Sequence, residues 1–152
     1  MPLPLAPFRA LLCLILCAGP AAAQPFATPQ EAVDRMVAAV EARDAGAMAG
    51  LYLDTALVMV PGEPALEGPE EIRAAWERAF ADGFSQLVIG TPRNRRGSDR
   101  AASVYLWEAL IAPPGEPARR LRARTLLHLE AVEGGWLIAA EMWQPAPPPT
   151  DP

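Results

Sequence analysis

Hydrophobic and polar positions follow two different patterns along residues 28–144. In the first half, Val33, Met36 and Val40 recur at spacings of three and four residues, so they form the apolar stripe of a helix. From Phe84 onward the hydrophobic runs are typical of strands, and turn-forming residues separate them. The whole pattern predicts the element order α-α-β-β-α-β-β-β-β.

Each predicted helix begins at residues that favour a helix start. Thr28 is a predicted N-cap with Pro29 at the first helical position. Asp44 begins a shorter second helix that buries Tyr52. Pro69 begins the third helix, and acidic residues in its first turn suit the helix dipole.

The order of the elements predicts the fold class. Strands that follow one another through short turns pair antiparallel, and helices gathered in the first half must cover one face of that sheet. The chain is therefore predicted to be a single α+β domain. Within it, the basic stretch RNRRGSDR (93–100) is predicted to be a solvated hairpin tip.

Residues 1–23 have the pattern of a secretory signal peptide. Arg9 precedes the apolar run ALLCLILCA (10–18), and the small residues AAA (21–23) suit a signal peptidase. The run contains both cysteines and is shorter than the roughly 20 residues of a membrane-spanning helix. Cleavage after Ala23 would leave a cysteine-free chain of 129 residues, periplasmic or secreted, with no membrane span.

Charge and composition narrow the class of partner. All 13 basic residues are arginines, against 18 acidic residues, and the formal net charge is −5. Binding to phosphates requires a basic face, so an acidic domain argues against a nucleic-acid partner. The proline-rich segment 145–152 is predicted to be a disordered tail, which leaves 24–144 as the domain.

Two segments resemble a known family. LYLDTALVMVPGEPALEGPEEIRAAW (51–76) resembles the Y-x-x-D-A…P-x-G…G-x-x-x-I-R-x-x-W segment of SnoaL-like domains, which belong to the nuclear transport factor 2-like superfamily. GGWLIAAEMW (134–143) resembles their closing G-W-x-I-x-x-D-x-W strand. Taken together, the resemblance covers about residues 28–144.

The resemblance implies a cystatin-like cone, in which a curved and mostly antiparallel sheet wraps around about three helices. An apolar pocket would lie at the open end of the cone. Many relatives are homodimers that pair through the outer face of the sheet, so a homodimer is expected. Isomerases, dehydratases, cyclases and binding or transport modules share this scaffold, so the fold does not fix the function.

The chain departs from the ketosteroid isomerases at two catalytic positions. Those enzymes have an aspartate base at the position that matches Val60, and an oxyanion-binding tyrosine at the position that matches Met36. Both residues are apolar here. The resemblance therefore does not carry that mechanism over in its known form.

Strand alternation gives the last two strands two faces, and the turn between them decides the pairing. A Gly134-Gly135 turn places His128 directly opposite Glu141. A Glu133-Gly134 turn places His128 opposite Ala139, with Glu141 as a diagonal neighbour. Either turn keeps His128 and Glu141 on one face, whereas a three-residue loop would separate them.

By resemblance to the isomerase-like relatives, the face that carries Trp143 lines the pocket. Trp76 belongs either to the core or to the pocket wall. The predicted ligand-binding residues are Met36, Val60, Trp76, Tyr105, Trp107, Leu126 and Trp143. The predicted outer face, apolar enough to pair two copies, consists of Leu127, Leu129, Ile138 and Met142.

His128 and Glu141 are the predicted catalytic pair if the domain is an enzyme. Burial disfavours either charge alone, whereas imidazolium and carboxylate stabilise each other. His128 would act as the base and Glu141 would orient it. Alternatively, the two form a structural polar pair, or His128 lies at the rim without a chemical role. One histidine without cysteine does not make a metal site, and no phosphate-binding loop is present, so neither metal nor cofactor is expected.

Two functions are compatible with the sequence. The first is an exported domain that binds a small apolar or amphipathic molecule. It is favoured because the isomerase positions are apolar while the predicted pocket walls are kept. The second is an isomerase, cyclase or dehydratase-type enzyme that uses His128 with Glu141.

Overall fold

The computed structural model describes residues 23–147. The predicted signal peptide therefore lies outside the described residues, apart from Ala23, and so does the tail beyond residue 147. Within 23–147, no helix is long and apolar enough to cross a membrane.

Three helices form close to their predicted starts, and side chains cap the first two of them. The Thr28 side chain accepts a hydrogen bond from the Glu31 N–H at 3.1 Å, and the Asp44 carboxylate accepts one from the Ala47 N–H at 2.8 Å. These bonds satisfy N–H groups that have no partner within the helix. The helices are α1 (Pro29–Ala42), α2 (Ala45–Ala49) and α3 (Gly68–Ala81).

Seven strands form one curved sheet in the order β2-β1-β7-β6-β5-β3, with β4 also paired to β5. β1 and β7 are parallel, and the other neighbours are antiparallel. The predicted α+β class with a mostly antiparallel sheet is confirmed. The strands are β1 (Tyr52–Met59), β2 (Leu66–Glu67), β3 (Ser85–Ile89), β4 (Arg93–Arg96), β5 (Arg100–Ile111), β6 (Arg119–Val132) and β7 (Gly135–Pro145).

Three element boundaries differ from the prediction. Arg93–Arg96 form a strand rather than part of a hairpin tip, because they pair with Ala101–Val104 while all four side chains stay exposed. Tyr52 does not lie in α2. It is the first residue of β1 and pairs there with Ile138 of β7. β7 continues to Pro145, which is the first residue of the predicted tail.

A bulge in β7 changes which side chains face inward. The hairpin turn is Glu133-Gly134, and near it Leu129 pairs with Ile138. Ala139 is then an extra residue without a partner, and from there His128 pairs with Ala140. An extra residue of this kind reverses the alternation of the strand beyond it. Consequently Leu127, and not His128, lies opposite Glu141.

Because of the bulge, the predicted inner and outer faces of β6 are wrong. Leu127, Leu129 and Ile138, predicted to be outside, are completely buried on the inner face. Leu126, predicted to line the pocket, is 40% exposed on the outer face, which it shares with His128. Only Met142 lies on the outer side as predicted, because it comes after the bulge.

The helices cover the inner face of the sheet. Their buried side chains, which include Met36, Met48, Ile72 and Phe80, belong to one core with the inner residues of the strands. The core continues to Phe26, which exchanges backbone hydrogen bonds of 3.0 and 2.9 Å with Trp136.

The outer face of the sheet carries a contiguous set of exposed apolar side chains, which we call the outer apolar band. In one row across four strands, Met59 pairs with Met142, Met142 with Leu126, and Leu126 with Val104. The members of the band are Leu57, Met59, Val104, Leu106, Leu126 and Met142.

Candidate functional site

A cavity of about 450 Å³ lies between the inner face of the sheet and α3, and it opens to solvent on one side. Its lining is mostly apolar. Six predicted ligand-binding residues border it, namely Met36, Val60, Trp76, Tyr105, Trp107 and Trp143. The seventh, Leu126, points away from the cavity, because the bulge in β7 places its side chain on the outer face of the sheet.

Glu141 is the carboxylate in the inner wall of the cavity. β7 places it between Val58 on β1 and Leu127 on β6, which are both buried. The Tyr52 hydroxyl donates a hydrogen bond to Glu141 Oε2. The partner of Glu141 is therefore a tyrosine on β1 and not His128, and the predicted histidine–glutamate pair is wrong.

Burial governs the titration of this cluster. Desolvation raises the pKa of Glu141, and the hydrogen bond from Tyr52 offsets part of that rise. Desolvation also raises the pKa of Tyr52 and of Tyr105 well above the usual range, and the nearby charge of Glu141 raises both further. Both tyrosines therefore remain protonated hydrogen-bond donors, while Glu141 holds its proton at a higher pH than an exposed glutamate.

A second polar group lies beside Glu141. Tyr105 on β5 pairs with Thr125 on β6, which in turn pairs with Trp143 on β7. The Trp107 indole N–H donates to Thr125 Oγ1 at 2.9 Å, and the Tyr105 hydroxyl has the Met36 thioether sulfur as its acceptor at 3.4 Å. A thioether is a weak acceptor, so the Tyr105 hydroxyl is available to a better one in the cavity.

Four aromatic rings form a connected wall of the cavity. Ring centroids lie 5.3 Å apart for Trp76 and Phe84, 6.1 Å for Phe84 and Trp107, and 5.6 Å for Trp107 and Trp143. Neighbouring rings are inclined by 62–83°, so each pair makes an edge-to-face contact. Trp76 thus belongs both to the core boundary and to this wall.

His128 occupies a different place from the predicted one. It is half-buried on the outer face between Ala102 and Ala140. It cannot reach the cavity, because the backbone of the sheet lies between them. His128 therefore cannot act as the predicted catalytic base in this cavity.

Tyr52 and Thr125 are site residues that the sequence does not predict. The hydrophobic pattern places Tyr52 on the buried face of α2, although the family pattern that begins with this tyrosine is an available signal. A uniform register between β6 and β7 places Thr125 on the outer face of β6. Its pairing with Trp143 exists only because Ala139 is an extra residue.

A curved, mostly antiparallel sheet whose inner face packs on three helices, with a cavity between them, is the nuclear transport factor 2-like class of fold. A profile of the SnoaL-like domain matches residues 33–138, and the chain belongs to this family. A comparison with curated proteins finds no match.

Solved structures with the same fold share little sequence with this chain. A ketosteroid isomerase-like protein from Erwinia carotovora atroseptica is 19% identical with a TM-score of 0.69, over 78% of this chain and 94% of that one. An NTF2-like superfamily protein from Salmonella enterica serovar Typhimurium is 13% identical with a TM-score of 0.68, over 78% and 88%. An NTF2-like protein with a cystatin-like fold from Novosphingobium aromaticivorans is 17% identical with a TM-score of 0.63, over 74% and 76%. At these identities the likeness establishes the fold alone.

Proposed function

We propose that this SnoaL-like domain is an exported module that binds a small molecule with an apolar body in its cavity. The observation that carries the proposal is the cavity itself, which is large, open and mostly apolar, with a few polar groups in its wall. Its volume of about 450 Å³ is within the roughly 300–1,000 Å³ of small-molecule sites. The convergence of Glu141, Tyr105 and Thr125 would orient such a ligand.

The proposal of export rests on the apolar run 10–18 and the small residues 21–23. Contacts at the start of the fold support cleavage after Ala23. The Gln24 N–H donates to the Gly50 carbonyl at 2.7 Å, and the Gln24 carbonyl accepts from Arg35 Nη1 at 3.0 Å. Cleavage at that bond would remove none of the residues that make these contacts.

Native mass spectrometry of protein from the periplasmic fraction of the producing cell tests binding and export together. We expect a chain that begins at Gln24 and carries the additional mass of one small molecule. Ala75→Trp should lose that mass, because Ala75 lines the cavity and an indole there would fill it. Ala74→Trp is the matched control on the same helix, and it should keep the ligand. A wild-type spectrum without added mass, together with no binding of the apolar dye Nile red, would contradict the proposal.

A second candidate function is a proton-transfer enzyme of the isomerase, cyclase or dehydratase type. The observation that favours it is the half-buried carboxylate of Glu141 at the cavity wall, whose raised pKa suits a general acid or base. Glu141 would transfer the proton and Tyr52 would hold the carboxylate in place. Liquid chromatography and NMR of the released ligand distinguish the two functions. A dehydratase gives a product lighter by one water and an isomerase or cyclase gives a product of altered structure, which Glu141→Gln does not form, whereas binding returns the ligand unchanged.

We also propose that two copies associate through the outer apolar band. Exposed apolar surface of this extent is uncommon on monomers. Charges at the two edges of the face support a second copy as the partner. One row across the sheet runs from Glu67 on β2, through His128, to Arg95 on β4. A twofold axis parallel to the strands would lay one edge over the other, so Glu67 would face Arg95 of the second copy.

Analytical ultracentrifugation tests this association. We expect the wild type to sediment as a dimer, and Leu126→Asp to sediment as a monomer, because a carboxylate would be desolvated in the centre of the band. Ala42→Asp is the control, since Ala42 is exposed at the end of α1 and not on the outer face of the sheet. Glu67→Arg and Arg95→Glu should each weaken the dimer, and the two together should restore it. A monomeric wild type, or a Leu126→Asp dimer as tight as the wild type, would contradict the proposal.

A further inference from the structure

Among residues 23–147, the carboxylate of Glu141 has no cationic partner. The salt bridges within residues 23–147 join Arg35 to Glu31, Arg73 to Glu77 and Arg122 to Glu108, and none involves Glu141. Its protein partner is the neutral hydroxyl of Tyr52. A carboxylate that is partly buried and has no counter-charge is costly, so a positive group that enters the cavity would gain a specific interaction.

The other charged side chains that line the cavity do not supply this counter-charge. They are Glu63, Arg78, Asp82 and Arg119, and all four are exposed. Two are positive and two are negative, so their charges cancel. Solvent also screens them, whereas Glu141 lies in a wall of buried residues. When Glu141 is ionised, the field inside the cavity is therefore dominated by one negative group.

The aromatic wall begins two residues from Glu141. Glu141 and Trp143 are alternate residues of β7 with side chains on the same face, which places their Cα atoms roughly 7 Å apart. Trp107 and Phe84 continue the wall. A cation attracts an aromatic face when it lies within about 6 Å of the ring centroid. One group can therefore contact the carboxylate and at least one indole together.

We infer that the cavity selects an organic cation, an amine or quaternary ammonium with an apolar body, whose charge lies between Glu141 and the indoles of Trp107 and Trp143. This inference rests on the proposed binding function and names its ligand class. An anion would meet the carboxylate in a medium of low polarity, where repulsion is strong. A neutral ligand would leave the carboxylate without a counter-charge.

The titration of Glu141 makes the preference dependent on pH. Desolvation raises its pKa, so the carboxylate forms at a higher pH than usual and the affinity for a cation increases as pH rises through that pKa. Tyr52 and Tyr105 face the same carboxylate, and both stay protonated because their pKa values are raised as well. From α3, Arg78 and Asp82 border the cavity with opposite charges.

Displacement of Nile red from the full, processed protein compares benzyltrimethylammonium with neopentylbenzene, its neutral isostere. At about pH 8 we expect the cation to bind at least about tenfold more tightly than the isostere. Glu141→Gln should weaken the cation about tenfold and change the isostere by less than about twofold. Glu133→Gln is the matched control, an exposed acid in the turn of the same hairpin that does not line the cavity, and it should change neither.

The outcomes separate the inference from the proposed function. If Nile red binds but the isostere binds as tightly as the cation, the cation preference is wrong while the apolar binding site stands. If Glu141→Gln leaves the preference intact, its assignment to Glu141 is wrong. If Nile red and both probes fail to bind, the binding function itself fails. A cation affinity that falls toward acidic pH, with an unchanged isostere, would support the inference independently.

Discussion

Leu127→Ala is expected to lower the free energy of unfolding by about 3 kcal/mol, whereas Leu126→Ala should lower it by less than about 1 kcal/mol. The two leucines are neighbours on β6 and undergo the same chemical change. Leu127 is completely buried and opposite Glu141, while Leu126 is 40% exposed on the outer face. Truncation at position 127 leaves a cavity in the core, and truncation at position 126 removes atoms that already contact solvent.

Urea unfolding followed by tryptophan fluorescence measures both variants. The experiment is done at two protein concentrations. A loss of stability that arises from weaker association of Leu126→Ala varies with concentration, whereas the loss from the core cavity of Leu127→Ala does not. Without the bulge, Leu126 would be buried and Leu127 would be exposed, so Leu126→Ala would then cost more stability than Leu127→Ala. Equal losses, or a larger loss for Leu126→Ala, would therefore contradict the position of the bulge at Ala139.

The elements that could be predicted are those with local signals. Thr28 and Asp44 cap helices through hydrogen bonds to residues three positions along the chain, so sequence spacing suffices to find them. Arg93–Arg96 could not be recognised in this way. This strand exists because an edge of β5 is available, and its exposed arginines resemble a loop.

The site was predicted only in part, because the extra residue Ala139 changes the pairing of β7 with β6. Trp107 and Tyr105 lie on β5, which the bulge does not affect, and they line the cavity as predicted. Glu141 and Trp143 also line it, but their neighbours on β6 are not the predicted ones. The segment IAAE offers no signal for a bulge, because Ala139 and Ala140 are alike in size and polarity. Pairing with β1 and β6 together decides which alanine is left without a partner.

That same dependence on tertiary contacts explains the change of catalytic candidate. The predicted pair joined His128 to Glu141 because both are polar residues in otherwise apolar strands. The observed partner of Glu141 is Tyr52, which lies 89 residues away in sequence on a strand that pairs in parallel with β7. No local spacing identifies such a partner.

Gly83→Ala is expected to be among the most destabilising single changes in the domain. Gly83 joins α3 to β3 with φ +77°, and a Cβ there would lie 2.2 Å from the Ala112 carbonyl oxygen. The contact is between two backbone segments, since the Ala112 N–H donates to the Gly83 carbonyl at 3.3 Å. Neither segment can rotate away as a side chain could. We expect a loss of at least about 3 kcal/mol, which includes about 1 kcal/mol for the left-handed backbone.

Gly62→Ala separates these two contributions. Gly62 has φ +81°, and a Cβ there would meet nothing within 4 Å, so only the backbone cost of about 1 kcal/mol applies. Urea unfolding of both variants gives the difference, and equal losses would contradict a steric role for Gly83. The contact also bears on the site, because Asp82, Phe84 and Ile111 all line the cavity beside it. A Gly83→Ala protein that still folds should therefore bind Nile red more weakly than Gly62→Ala does, since the displaced backbone carries part of the aromatic wall.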